Sequence, residues 1–494
     1  MPLLKVYIQE TVMRLTTELL PLFFLTYVAH ILQLHALGVQ AGTFAVIMMP
    51  IAVISTAIRV YAQNELNKMS PDKRGNSSFF WEMWSIQLLT LIVFASITWA
   101  VIRFAGLPYT SVFRLQLLFY VGAILDIAWL YNGINKTRVV VRRDALMQLL
   151  RFVPLIIFVK SSADLNSFII LLAVTTIVAN LLLWFQLPSV LVRVNIALIP
   201  LRTHIKTLLF FVATALLPQL ALYLNKAVLF ITKGSADVAM YYSAELLVKV
   251  GVALVLGIAM AMMAKVTEQR KMGDSAGVAK SFYDAIEYSS ALSVLIAVGV
   301  ATVGPQAVLW FLGPSFSETG EVLQVLDFVI VVASWRYSLA LQQMAAERGF
   351  RNISVPVQIG AGITVVLTLL VVPRFGMLAA AWAALIGELS ALVIQIALLK
   401  SVLNVWRLVR VTWRYIVAGV VSAAGMLIVI RIVPGPYPKF SALEALIGMV
   451  LYTLVVYAFS TPVIKMVNAV ALFAIKRMYE TTNEFIRSVL RLNK

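Results

Sequence analysis

The sequence predicts an all-α polytopic membrane protein of about 14 transmembrane helices, each near the membrane-crossing length. They form two parallel six-helix lobes followed by two C-terminal helices, with both termini inside. Three observations predict this: the scarcity of charge, the length of the apolar runs, and an internal repeat. Of the 494 residues 61% are hydrophobic and only 13% charged, whereas a soluble domain carries about 25% charge. So little charge could not cover a soluble surface of this size.

The apolar runs lie near 11–33, 40–62, 83–105, 114–134, 141–159, 167–191, 207–231, 238–262, 283–304, 321–343, 353–372, 376–398, 411–432 and 443–466. Each is close to the roughly 20 residues that cross a 30 Å hydrocarbon core as helix. The connections are short, and none can house a soluble catalytic domain. No n-region, apolar run and small-residue cleavage site follow one another at the N-terminus, so the first span itself is expected to direct insertion.

Lys and Arg orient the spans, because positive charge stays on the cytoplasmic side. With the N-terminus inside, about 27 of the 40 cations fall in cytoplasmic segments, about 7 in outer loops and about 6 within spans. The inner patches include Lys68, Lys73 and Arg74; Lys136, Arg138, Arg142 and Arg143; Lys265, Arg270 and Lys271; and Arg407, Arg410 and Arg414. Distributed between apolar runs, the net charge of +18 suits anionic headgroups rather than nucleic acid.

A repeat appears at an offset of 197 residues, where TTELLPLFFLTY from Thr16 meets ATALLPQLALYL from Ala213. The same shift carries Phe44 onto Tyr241, Lys68 onto Lys265 and Arg74 onto Lys271. It implies an N-terminal lobe over 1–200, a C-terminal lobe over 201–402 and two further spans over 403–468. Parallel lobes around a central cavity are a transporter plan. Pro21 and Pro218 should each bend the first helix of a lobe, since proline removes a backbone hydrogen bond. Residues 469–494, too polar to span, suit a basic amphipathic helix on the inner leaflet or a solvated tail.

Charges within spans must face a cavity or a partner, since one at the bilayer centre costs about 2.5–3.5 kcal/mol. Arg14 and Arg59 sit near inner ends and can snorkel; Arg14 also has Glu18 one turn away. Deeper lie Asp126, Arg151, Lys226, Glu245, Lys249, Asp327, Arg336 and Glu388. Glu245 and Lys249, four apart, can neutralise each other. Lys226, Arg336 and Arg151 have no opposite charge three or four residues away and are the better candidates for a cationic cavity lining. Asp126 and Glu388 are either counter-ions of those cations or titratable groups coupled to a proton or sodium gradient. A mostly cationic, wet interior suits an anionic substrate.

Several chemistries lack their residues. There is no cysteine, hence no thiolate site or nucleophile. There is no phosphate-binding loop, TKGSAD at 232–237 being no substitute, so ATP-driven transport is not expected. His30, His35 and His204 have no metal-ligand spacing. No cofactor is expected, and no enzymatic constellation appears.

The stretch ILDIAWLYNGINKTRVVVRR, from Ile124, resembles the signature of spans 4 and 5 of Wzx-type polysaccharide flippases. Its matching residues are Asp126, Trp129, Tyr131, Gly133, Arg138, Arg142 and Arg143. Four further segments resemble that family in order: LHALGVQAGTFAVI (34–47), SADVAMYYSAELLVKV (235–250), LWFLGPSFSETGEVLQVL (309–326) and PRFGMLAAAWAALIGEL (373–389). They extend over most of the chain up to about residue 400. Departures are Asn132, where many members have an aromatic, and Asn225-Lys226, where many have Asp followed by a base; they leave substrate and coupling ion open.

The resemblance implies the multidrug/oligosaccharidyl-lipid/polysaccharide exporter superfamily in a bacterial or archaeal cytoplasmic (inner) membrane. Its implied activity is flipping a polyprenyl-diphosphate-linked oligosaccharide to the outer leaflet by alternating access. Membrane lipids, a polysaccharide polymerase and glycosyltransferases are the implied partners. On this reading Lys226, Lys249, Arg336, Arg151, Arg59 and Arg14 contact substrate, while Asp126, Glu245 and Glu388 balance charge or bind a coupling ion. A drug/cation antiporter, a peptidoglycan lipid II flippase and a non-transporting scaffold are the alternatives.

Overall fold

The computed structural model describes residues 2–69, 73–192, 201–345, 351–400, 404–432, 439–459 and 463, with side chains in the first helix from residue 22 on. Every regular element among them is helical. Among the described residues, eleven helices are long and apolar enough to cross a membrane. The side chain of Arg14, the end of the last expected span and the tail at 469–494 lie outside the described residues.

Two helices each carry two of the expected spans. These are α1 (Pro2–Lys68) and α13 (Arg351–Leu399). At 1.5 Å per residue, straight helices of these lengths would be roughly 70–100 Å long, more than twice the hydrocarbon core. Each is interrupted once, α1 at Gln33 (φ 62°) and α13 at Gly376 (φ 70°, ψ −148°). The arms of α13 pack closely enough that a Cβ on Gly360 would lie 2.5 Å from the Gly387 carbonyl oxygen.

Next come α2 (Lys73–Phe104), then α3 (Thr110–Gln116), α4 (Leu118–Leu125) and α5 (Ala128–Gly133), which divide the expected fourth span. The fifth span is α6 (Thr137–Phe158), kept out of the apolar set by Arg142, Arg143, Asp144 and Arg151. It is followed by α7 (Leu165–Phe185), α8 (Leu201–Thr232), α9 (Ser235–Lys271) and α10 (Ser275–Phe311). The expected tenth span is divided into α11 (Thr319–Leu326) and α12 (Phe328–Ala345). Beyond α13 lie α14 (Val405–Ile432) and α15 (Lys439–Ala458).

Element order recurs. Long helices are joined at a positive-φ residue, Gln33 within α1 and Gly234 between α8 and α9. A long helix then ends before a positive-φ glycine, Gly106 after α2 and Gly313 after α10. A broken helix follows, with Asp126 or Asp327 at its break. Pro218 lies inside α8, which stays one continuous helix, and the interruption of α1 falls at Gln33 rather than at Pro21.

The break at Asp126 explains a carboxylate inside an oily run. Asp126 Oδ1 accepts the Ala128 N–H at 3.0 Å and so caps α5. Carbonyls freed there must find donors, because hydrocarbon offers none. Gln87 Nε2 donates to the carbonyls of Ala123 (2.7 Å), Ile124 (3.3 Å) and Asp126 (3.0 Å), while its Oε1 accepts the Trp129 indole N–H at 3.0 Å. Trp184 donates to Leu125 O at 2.9 Å.

The largest apolar core joins the two halves of the chain, running from Leu25–Ala41 to α8, α9 and α11. At this end α1 and α9 touch backbone to backbone: a Cβ on Gly38 would collide with the Ser235 carbonyl oxygen. His35 Nδ1 and Ser235 Oγ are 2.8 Å apart. A second core belongs to α1 beyond Gln33, α2, α5 and their neighbours.

Candidate functional site

Five helices line a cavity of about 460 Å³, α11 through Leu326 alone. Their contributions follow helical spacing: Pro218, Leu222 and Asn225 on α8; Tyr241, Glu245, Lys249 and Val252 on α9; Val329, Ala333 and Arg336 on α12. Both arms of α13 complete it, through Gly360, Thr364, Gly387 and Glu388. The small residues let the backbones approach without filling the space.

Two charged groups stand in this cavity. Glu245 serves two lysines, Oε2 receiving Lys226 Nζ at 2.6 Å and Oε1 receiving Lys249 Nζ at 3.0 Å. Lys226 is buried behind this carboxylate and also donates to Leu222 O at 2.9 Å. Lys249, its side chain 44% exposed, is the cation that reaches the open space. In the second group Glu388 takes the Arg336 guanidinium at two points, Nε to Oε2 at 2.7 Å and Nη2 to Oε1 at 3.3 Å.

Lys226 and Arg336 were expected to line the cavity, with Glu388 a candidate counter-ion of one of its cations. Arg336 is paired with Glu388 on α13, whereas Lys226, for which no partner was expected, is paired with Glu245 on α9. An unpaired charge in a low-dielectric interior is costly, and here the partner comes from another helix. Three cations face two carboxylates, so the site is one positive charge in excess rather than mostly cationic.

The other charges lie elsewhere. Arg151 donates to Thr175 Oγ1 at 3.0 Å and lines a separate recess of about 140 Å³ with Gln40, Gln148 and Tyr242. Arg59 lies 3.8 Å from Asp126, a half-exposed and correspondingly weak pair. Asp327 is 1% exposed at the break between α11 and α12, and its Oδ1 has no partner among the described residues. No group of His, Asp or Glu among the described residues could hold a metal.

Sequence spacing missed a polar net behind Glu245. Asn225 Nδ2 donates to Tyr241 Oη at 3.0 Å, and Thr368 Oγ1 donates to Asn225 Oδ1. This ties α8, α9 and α13 together beneath the charged wall. Tyr241, one turn before Glu245, was the available signal.

No protein-family model matches the sequence, and no curated protein does. Among solved structures, the chain is similar to the lipid II flippase MurJ in an inward closed conformation, with a TM-score of 0.72 at 12% identity. That match covers 92% of this chain and 98% of the other. An outward-facing multidrug resistance MATE family transporter of the MOP superfamily matches with a TM-score of 0.58 at 15% identity, covering 82% and 96%. A MOP superfamily transporter from Pyrococcus furiosus, described by the reverse polarity of its binding pocket, matches with a TM-score of 0.52 at 13% identity, again covering 82% and 96%. This membrane-embedded helical chain therefore shares its fold with MOP superfamily transporters.

Proposed function

We propose that this chain is a flippase for a polyprenyl-diphosphate-linked oligosaccharide, such as an O-antigen or exopolysaccharide repeat unit. It moves the headgroup from inner to outer leaflet by alternating access of the lobes 1–200 and 201–402, while the lipid tail stays in the bilayer. The observation that carries this reading is the charged cavity with its half-exposed Lys249, set in a fold shared with a lipid II flippase.

The chemistry follows from the sharing of Glu245. A diphosphate arriving at Lys249 competes only for the more exposed of two contacts, since Glu245 keeps Lys226. Arg336 offers the planar fork that matches phosphate oxygens, provided Glu388 lets go. Glu388, less buried than Arg336, is the carboxylate that could take a proton or sodium ion on release. Arg151 supplies a second anion point, Arg59 with Arg14 contributes nearer the inner gate, and Asp126 balances charge or binds a coupling ion. Residues 403–468 add two spans, and the chain sits in a bacterial or archaeal cytoplasmic membrane. A polymerase and glycosyltransferases are the partners this activity requires.

The test is Lys249→Ala and Arg336→Ala in cells that depend on this protein. Surface polysaccharide should fall at least tenfold at normal protein levels, equivalent to about 1.4 kcal/mol of lost stabilisation; unchanged polysaccharide overturns the reading. A cation exporter is the second reading, favoured by Glu245 and Glu388 in the cavity wall. Drug sensitivity without glycan loss in a deletion strain would select it, and lysis on depletion would select a lipid II flippase.

A further inference from the structure

Away from the cavity, a second charged concavity of about 350 Å³ lies at the start of α14. Its cationic wall is Arg407, Arg410 and Arg414, which share one face of that helix. The wall is held in place. Asn404 Oδ1 accepts the Arg407 N–H at 3.1 Å, and the Asn404 N–H donates to Tyr283 Oη on α10 at 3.1 Å. The Arg407 guanidinium lies 4.1 Å over the Tyr283 ring.

The charge of this concavity is cancelled only in part, one carboxylate facing three guanidinium groups. Glu287 is its only acidic lining residue, and Glu287 Oε1 already accepts the Tyr415 hydroxyl at 2.9 Å. None of the three arginines makes an ion pair with a carboxylate among the described residues. The positive end of the α14 dipole adds to the same field.

One residue round the helix begins a lipid-facing stripe: Trp406, Val409, Trp413, Ile416 and Val420, all exposed. Tryptophan marks the membrane–water interface, and the stripe runs from there into the hydrocarbon. A charged cup thus sits at the head of an apolar track.

We propose that this concavity binds the phosphodiester headgroup of an anionic phospholipid, with its acyl chains laid along the stripe. Arginine forks match phosphate oxygens at two points, and a cup at the interface meets that group at its own depth. The site is distinct from the transport cavity and does not rest on the transport reading.

The test uses the full chain in neutral detergent, with bound lipid counted by native mass spectrometry. Dioleoylphosphatidylglycerol is the probe, and dioleoylphosphatidylcholine, with identical tails, is the control. Wild type should bind the anionic lipid at least tenfold more tightly. Arg410→Gln with Arg414→Gln should lose that preference, and Arg431→Gln, at the other end of α14, should keep it. If the double variant does not elute as a monodisperse peak, the exposed single variant Arg410→Gln should bind about threefold more weakly. Four outcomes overturn the proposal: equal binding of both lipids, full preference in the arginine variants, equal loss in Arg431→Gln, or displacement by millimolar inorganic phosphate.

Discussion

Glu388 holds the Arg336 guanidinium at two points, with Nε donating to Oε2 at 2.7 Å and Nη2 to Oε1 at 3.3 Å. The bond joins the second arm of α13 to α12 across the cavity wall. Glu388→Gln leaves a nearly buried guanidinium without its counter-ion and should cost roughly 1–3 kcal/mol. The thermal midpoint in detergent should fall accordingly. Arg336→Met combined with Glu388→Leu should recover much of the loss while remaining inactive, since an apolar replacement of both partners removes the stranded charge.

Glu245 provides a graded case. Glu245→Gln strands two ammonium groups, one of them the buried Lys226, whereas Lys249→Met removes a half-exposed cation and leaves the Lys226–Glu245 pair intact. The first substitution should lower the thermal midpoint clearly more than the second. Equal midpoints would mean that Glu245 stabilises chiefly through Lys249.

The broken fourth span gives a prediction outside the cavity. Gln87→Leu removes the acceptor of the Trp129 N–H and a donor to three carbonyls, of which Ala123 O keeps the Asp126 N–H and Ile124 O keeps Trp84. Each buried group left unpaired costs about 1–3 kcal/mol. The variant should be less thermostable than Thr98→Val, which removes one hydroxyl contact to Tyr120. Comparable stability of the two would show that the break at Asp126 does not depend on Gln87.

The membrane fold was legible because hydrocarbon imposes its length on the sequence: apolar runs of helix-spanning size mark the helices one by one. Where two spans merge, as at Gln33, the turn has no glycine or proline to announce it. The Glu245–Lys249 pair was readable from its four-residue spacing. Lys226–Glu245 and Arg336–Glu388 were not, because their members lie 19 and 52 positions apart on different helices. Asp126 read as an ionic group, and its capping of α5 became visible only with the helix break. The same limit hid the net around Asn225, whose partners come from two other helices, α9 and α13.

Gly376 sits at φ 70° and ψ −148°, a region open essentially to glycine alone, where α13 turns between its arms. Gly376→Ala should therefore destabilise by about 1–3 kcal/mol. The added methyl would also meet Asp237 Oδ2 at 2.9 Å, a contact from α9. Circular dichroism melts should show the loss, and an unchanged melt would mean that the turn relaxes to another conformation.

The contact between α1 and α9 tests the rocking of the halves. The chain contains no cysteine, so introduced pairs report alone. His35 and Ser235 meet side chain to side chain at 2.8 Å, so His35→Cys with Ser235→Cys should cross-link on mild oxidation. The bond would hold the halves together at this end, abolishing transport until a reductant restores it. In a Gly38→Val background the new side chain would collide with the Ser235 carbonyl, push the helices apart and reduce the cross-linked fraction several-fold. Full activity of the oxidised, cross-linked protein would mean that this end never opens, and alternating access between these halves would fall with it.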